Sequence, residues 1–171
     1  MKVKMILENN DSIVMELYPE IAPLSVANFL ELIDKKYYDG VIFHRIIKDF
    51  MAQAGGYKFN EKDMMISMAD ERPAIKGEFK SNGVDNKLKH VLGVISMART
   101  MVKDSASSQF FICTKASPHL DGEYAAFGKV CDAESLVVLD KLNNAKTVNV
   151  GGGLTDFPYP IVRIKTIERI D

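Results

Sequence analysis

The chain has 171 residues, 47% of them hydrophobic and 26% charged, with a formal net charge of −1. That length suits one domain with a real core, and so neutral a balance gives no electrostatic footprint for nucleic acid or for an anionic membrane. No stretch approaches the roughly 20 apolar residues of a membrane span, and the opening MKVKMILENNDS has no signal-peptide apolar core, so a cytoplasmic location is expected.

Val3, Met5 and Leu7 alternate with Lys2, Lys4 and Glu8, turn residues follow at 9–12, and Ile13–Leu17 resumes the alternation, which predicts a β-hairpin. After Pro23 the period changes: Val26, Phe29, Leu30 and Ile33 put one apolar face on a helix. Two strands come next, Val41–Ile47 and Phe50–Ala54, joined by the pair Lys48-Asp49. Tyr57–Lys76 has no sustained period and reads as a surface excursion, with Met64, Met65 and Met68 as gap-filling contacts.

Further strands are expected at Gly77–Phe79, Val91–Ala98, Ser108–Thr114, Tyr124–Val130 and Ile161–Ile170, separated by turns and a polar loop at 99–107. Asp132 is the predicted N-cap of a second helix striped by Leu136, Leu139 and Leu142 and ended by Asn143-Asn144. Gly151–Gly153 lacks the strand-to-helix context of a phosphate loop and reads as plain loop. Cys113 and Cys131 have no CxxC spacing and are expected as buried free thiols. No repeat or linker divides residues 1–171, and no βαβ alternation occurs. A single domain is therefore expected, mainly β, with an antiparallel sheet or barrel and helices at its ends.

The chemistry is narrowed by what is missing. His44, His90 and His119 stand apart, with no ligand spacing for a metal. No GxSxG elbow frames any serine, although a histidine could still meet one in space, so a hydrolase stays open as an alternative. Arg45 is the telling residue. It sits among Val41, Ile42, Phe43, Ile46 and Ile47, and a cation that cannot deprotonate must face water or the rim of a cleft. A cleft without a nucleophile remains, with polar Arg45, Gln53 and Gln109 and apolar Phe50, Met51, Phe111 and Leu120. Such a lining suits a small apolar ring on a peptide. Plain core packing is the competing reading for each of the aromatics.

FHRIIKDFMAQ at 43–53, GVISMAR at 93–99, SSQFFICT at 107–114 and LDGEYAAFGKV at 120–130 resemble, in order, the cyclophilins, the peptidyl-prolyl cis/trans isomerases. The resemblance implies a closed eight-stranded antiparallel β-barrel with a helix over each end, here 26–35 and 133–142. It implies a folding helper that turns X–Pro bonds in proline-containing peptides and unfolded proteins without metal or cofactor. The alternative is a silent proline-peptide binder of the same fold.

Matched by position, the resemblance implies Arg45 and Gln53 as catalytic residues. Phe50, Met51, Phe111 and Leu120 would form the proline pocket, and Gln109 would be a second groove glutamine. Ala98, Arg99 and Thr100 would pair with the substrate backbone, and His119 and Tyr124 would complete the rim. A strict two-residue turn at Lys48-Asp49 would turn Gln53 away from Arg45, so an irregular, bulged hairpin is expected. Arg99 replaces the usual asparagine and is expected to bring a charge beside the groove. His119 stands where many members have tryptophan, so a cyclosporin-type ligand is expected to bind weakly. Tyr124 replaces a histidine. A closed barrel with few free edges is expected to be a monomer.

Overall fold

The computed structural model describes residues 1–170. In chain order the elements are β1 (Lys2–Leu7), β2 (Ser12–Leu17), α1 (Pro23–Asp34), β3 (Val41–Ile47), β4 (Met51–Asn60) and β5 (Met65–Met68). Then come β6 (Val94–Met97), β7 (Phe110–Cys113), β8 (Ala126–Val130), α2 (Ala133–Asn143), the short β9 (Thr147–Val148) and β10 (Phe157–Pro158), and β11 (Ile164–Arg169). Eight strands run β11-β1-β2-β8-β6-β7-β4-β3, and β5 hangs from the far part of β4. The ends of this path meet where Ile42 bridges to Arg163 and the Phe43 N–H donates to the Val162 carbonyl at 2.9 Å. The sheet therefore nearly closes on itself, which removes most of its free edge. This is the mainly β barrel with two helices that the sequence implied.

The helices plug the barrel. Phe29 of α1 has its ring 5.4 Å from Tyr38, 5.4 Å from Phe110 and 5.3 Å from Phe127. Helix α1 has no side-chain cap of its own, and Pro23 occupies its first turn. A distant carboxylate serves instead: buried Glu78 accepts from the Ser25 N–H at 2.6 Å, the Ser25 hydroxyl at 2.8 Å and the Leu24 N–H at 3.1 Å. An anion there meets the positive end of the helix dipole as well as its unpaired donors. Helix α2 is capped as predicted, by Asp132 accepting from the Ser135 N–H at 2.7 Å.

Three expectations need correction. The 57–76 excursion is not unstructured: β4 runs on to Asn60 and turns back through β5, paired Tyr57 to Met68 and Asn60 to Met65. Its faces are at most half-buried, on the side of Tyr57, Phe59 and Ile66, and Met64, Met65 and Met68 are exposed rather than filling gaps. Gly77–Phe79 is not a strand; the backbone leads into a single 3-10 turn at Lys80–Asn82. Cys113 is buried, but Cys131 is exposed at the end of β8, where the barrel wall stops.

Candidate active site

The site is built on the β3–β4 hairpin, and its geometry depends on two irregularities. Ile47 pairs with Met51, so the turn holds three residues, Lys48, Asp49 and Phe50, rather than two. Asp49 adopts φ +59°, a conformation that Asp tolerates better than most side chains. Asn143 at the end of α2 fixes it, its Oδ1 accepting from the Asp49 N–H at 2.8 Å and its Nδ2 donating to the Asp49 carboxylate at 3.1 Å. The extra residue puts Arg45 directly opposite Gln53. Between Phe43↔Ala54 and Arg45↔Gln53 the ladder then slips by one residue, leaving His44 as a bulge. The bulge lets Phe43 point into the barrel while Arg45 points out, and bulges do this next to many active sites.

Strand parity carries the rest. On β4, Ala52 and Ala54 face the core while Met51 faces outward; on β7, Phe110 and Ile112 face the core while Phe111 and Cys113 face outward. The FFIC run is apolar on both sides because its inner face fills the barrel and its outer face floors a pocket. Met51 lies opposite Cys113 and Gln53 opposite Phe111. Leu120, on the single turn Pro118–Leu120, closes this outer cluster, with Phe50, Ala98 and Tyr124 packed against it.

The result is an open pocket of about 110 Å³ lined by Arg45, Phe50, Met51, Gln53, Ala98, Arg99, Phe111, Leu120 and Tyr124. Arg45 is exposed at its rim, and Nη1 donates to Gln53 Oε1 at 3.2 Å. Gln53 Nε2 donates in turn to Gln109 Oε1 at 2.9 Å. Gly56 makes room for this relay, since a Cβ there would meet Nε2, Cδ and Cγ of Gln109. Among the described residues no carboxylate pairs with Arg45. The cation is thus aimed and left chemically unspent.

Residues 2–169 match the family described as cyclophilin type peptidyl-prolyl cis-trans isomerase. The chain belongs to the cyclophilins. It is 40% identical over 161 residues to peptidyl-prolyl cis-trans isomerase A of Dickeya dadantii, an alignment covering 91% of this chain and 75% of that one. It is 37% identical over 140 residues to an isomerase of Helicobacter pylori strain J99, covering 82% of this chain and 80% of that one. A crystal structure of a Cryptosporidium parvum cyclophilin, solved in the presence of the dipeptide Ala-Pro, superposes with a TM-score of 0.79 at 27% identity over 100% of this chain and 99% of that one. This chain is a peptidyl-prolyl cis-trans isomerase.

The residues expected in this cyclophilin's groove do not all share one pocket. Gln109 and Thr100 line a neighbouring cleft of about 230 Å³ with Ser105 and Ser107, joined to the main pocket through Gln53, Ala98 and Arg99. His119 lines neither, its ring lying 5.5 Å from that of Phe50. The Ala98 N–H is taken by the Gln109 carbonyl at 3.0 Å and the Thr100 N–H by Ser105 Oγ at 2.9 Å. The backbone N–H and carbonyl of Arg99 have no partner among the described residues, so in the 98–100 segment Arg99 is the residue with both backbone groups open to a peptide. Its side chain puts a charge beside the groove, and that charge is tied down. The guanidinium donates to the Glu123 carbonyl at 2.6 and 3.2 Å and to the Thr100 carbonyl at 3.0 Å, and lies over the rings of Phe79 and Tyr124.

A histidine does meet a serine, but out of reach. His90 Nε2 is 2.9 Å from Ser96 Oγ, and Nδ1 is 3.0 Å from Asp121 Oδ1. With Ser96 0% and His90 1% exposed, no scissile carbonyl can approach, and the hydrolase reading fails. The imidazole stacks beneath Phe111, at 6.0 Å and 18° between planes, and so serves as a buried prop for the pocket floor. Burial pushes the His90 pKa down, against the opposing pull of Asp121. Burial also pushes the Cys113 thiol up to about 12, which leaves the sulfur beside the pocket unreactive.

Sequence reasoning missed Phe79 and Glu123 as partners of Arg99, and Ser105 and Ser107 as cleft walls. An arginine between two aromatic-bearing segments was the available signal for the first pair. Loop serines carry no such signal. Among the described residues no group of three or more His, Cys, Asp or Glu side chains could hold a metal ion.

Proposed function

We propose that Arg45 is the catalytic donor and that the pocket of Phe50, Met51, Phe111 and Leu120 grips the proline of an X–Pro peptide. An X–Pro amide resists rotation by roughly 18–20 kcal/mol because its nitrogen lone pair is delocalised into the carbonyl. At the twisted transition state that lone pair localises and can accept a hydrogen bond. A donor that meets it only there stabilises the transition state over the ground state, which is what lowers the barrier. Arginine suits the task because it stays charged and cannot act as a stray base.

The observation that carries this reading is the relay from Arg45 through Gln53 to Gln109, at 3.2 and 2.9 Å. It fixes the guanidinium over an apolar pocket while leaving donors free to turn toward a ligand. Gln53 and the open backbone of Arg99 hold the residues flanking the proline as the bond turns. Substrates are flexible proline-containing peptides and unfolded chains, and the Cryptosporidium parvum structure solved in the presence of the dipeptide Ala-Pro supports that class. The protein works as a monomer in the cytoplasm, where its two free cysteines suit a reducing compartment. A cyclosporin-type ligand binds weakly, because His119 supplies no indole N–H.

Exchange NMR on an X–Pro peptide, with no protease present, tests the reading in wild type and Arg45→Ala. Catalysed exchange in the wild type should fall by about 10²–10³ in the variant, with peptide binding retained. Equal rates in the two proteins would remove Arg45 from the mechanism. Binding without catalysis in the wild type would leave a silent binder.

A further inference from the structure

The walls of the site carry charge of one sign. The proline pocket and the cleft beside it are lined by Arg45 and Arg99 and, among the described residues, by no carboxylate. The chain as a whole has 23 acidic and 22 basic residues, so this bias is local. It continues on the Phe50 side of the pocket. Lys48 precedes Phe50 by two residues in the β3–β4 turn, and Lys115 follows Thr114, whose N–H donates to the Phe50 carbonyl at 3.0 Å. Both lysines are exposed, and neither has an ion-pair partner among the described residues.

Two carboxylates flank this edge, and each is held by the body of the protein. Asp49 lies between Lys48 and Phe50 in the chain, and its carboxylate accepts from Asn143 Nδ2 of α2 at 3.1 Å. Asp121, next to Leu120, is half-buried and accepts from the His90 N–H at 2.7 Å, with the His90 ring nitrogen at 3.0 Å. Against these two stand Arg45, Lys48 and Lys115, all without an ion-pair partner, so the rim is net positive. Low-dielectric walls such as Phe50, Met51 and Leu120 concentrate a field of this kind at the mouth of a pocket.

A bound chain has two ways out of the pocket. One crosses Gln53, Ala98 and Arg99, which the pocket and the cleft share. The other passes over Phe50 and the neighbouring ring of His119. We infer that the Phe50 edge selects for acidic sequence: an Asp or Glu of the client, within two residues of the docked proline on the side that leaves over Phe50, meets Lys48 and Lys115. The inference rests on the proline-binding reading given above. Lysine is a mobile point charge, which suits an edge that reads charge and tolerates varied shapes. Its attraction is the same while the peptide bond turns as before, so it lowers KM and leaves kcat alone. It also speeds encounter with acidic segments, as rim charges do. Segments rich in acidic residues stay flexible, which keeps their prolines within reach of the pocket.

The test uses the full chain and three short peptides with one central proline. The first has Gln-Gln on both sides of the proline; the others carry Glu-Glu directly before it or directly after it. Affinities come from NMR titration and KM and kcat from exchange NMR, at low salt and at about 1 M salt, where the screening length is about 3 Å. In wild type at low salt, Glu-Glu on one of the two sides should lower Kd and KM about three- to fivefold against the neutral peptide, with kcat unchanged. High salt should abolish the difference. The double variant Lys48→Gln, Lys115→Gln should lose it too while handling the neutral peptide like wild type, and Lys115→Glu should reverse it. Equal affinity for the three peptides in wild type, or a preference that survives the double substitution, would overturn the proposal. Failure of the wild type to bind or turn over the neutral peptide would strike at the proline-pocket reading instead.

Discussion

The guanidinium carbon of Arg99 lies 4.6 Å from the centre of the Tyr124 ring, and Tyr124 in turn meets Phe111 edge-on at 5.8 Å. A charge thereby braces one wall of the proline pocket from behind. Cation–π contact of this kind contributes about 0.5–2 kcal/mol, and the hydrogen bonds to Glu123 tie two loop segments together. Arg99→Ala should raise KM several-fold and change kcat little, because it loosens a wall without touching the Arg45 donor. Arg99→Lys keeps the charge but not the planar fork, and should recover only part of the loss. In the double variant with Tyr124→Ala, the Arg99 substitution should add almost nothing. Additive losses would show that Arg99 does not act through Tyr124.

Stability should fall in acid because of His44. Burial lowers its pKa from 6.5 to about 4, with Arg45 adding to the effect, and its ring packs 4.5 Å from that of Tyr57. The unfolded chain therefore binds a proton that the folded chain refuses. The stabilisation is fully present above pH 6.5 and is lost as the pH drops toward 4, amounting to on the order of 3 kcal/mol. His90, shifted in the same direction, adds to the slope. Urea unfolding at pH 7.5 and pH 4.5 should show a smaller loss for His44→Gln than for wild type. Equal losses would mean that His44 titrates normally in the folded protein.

Glu78 should matter for folding and hardly at all for catalysis. It satisfies three donors at the start of α1 from a position more than fifty residues away in the chain. Glu78→Gln keeps the shape but loses the charge, and should cost about 1–3 kcal/mol in urea melts. kcat/KM for a short peptide, measured well below the melting point, should stay near the wild-type value. A large loss of activity at unchanged stability would assign Glu78 a role in the site.

Much of this was legible in the residues, and what was not has physical causes. The first hairpin and both helices follow from period alone, since each has one buried and one wet face. Strand β7 could not reveal its orientation, because Phe110, Phe111, Ile112 and Cys113 are all buried, two on each side of the sheet. β5 was invisible for the opposite reason, as none of its residues is buried. The facing of Gln53 required a turn one residue longer than the simplest one. No local pattern announces that length, because it is fixed by Asn143, which arrives from nearly the other end of the chain.

The three-residue turn at Lys48–Phe50 makes the site a matter of odd and even numbers. Were the same chain to turn on Lys48 and Asp49 alone, Ile47 would pair with Phe50 and the inner and outer faces of β4 would exchange relative to β3. Ala52 would then replace Gln53 opposite Arg45, and Met51 and Gln53 would be driven toward the barrel interior. A slip of two residues would leave the alternation intact and shift only the partners. The hairpin is therefore unforgiving to a slip of one, although none of the turn's backbone needs to touch a substrate for that to hold.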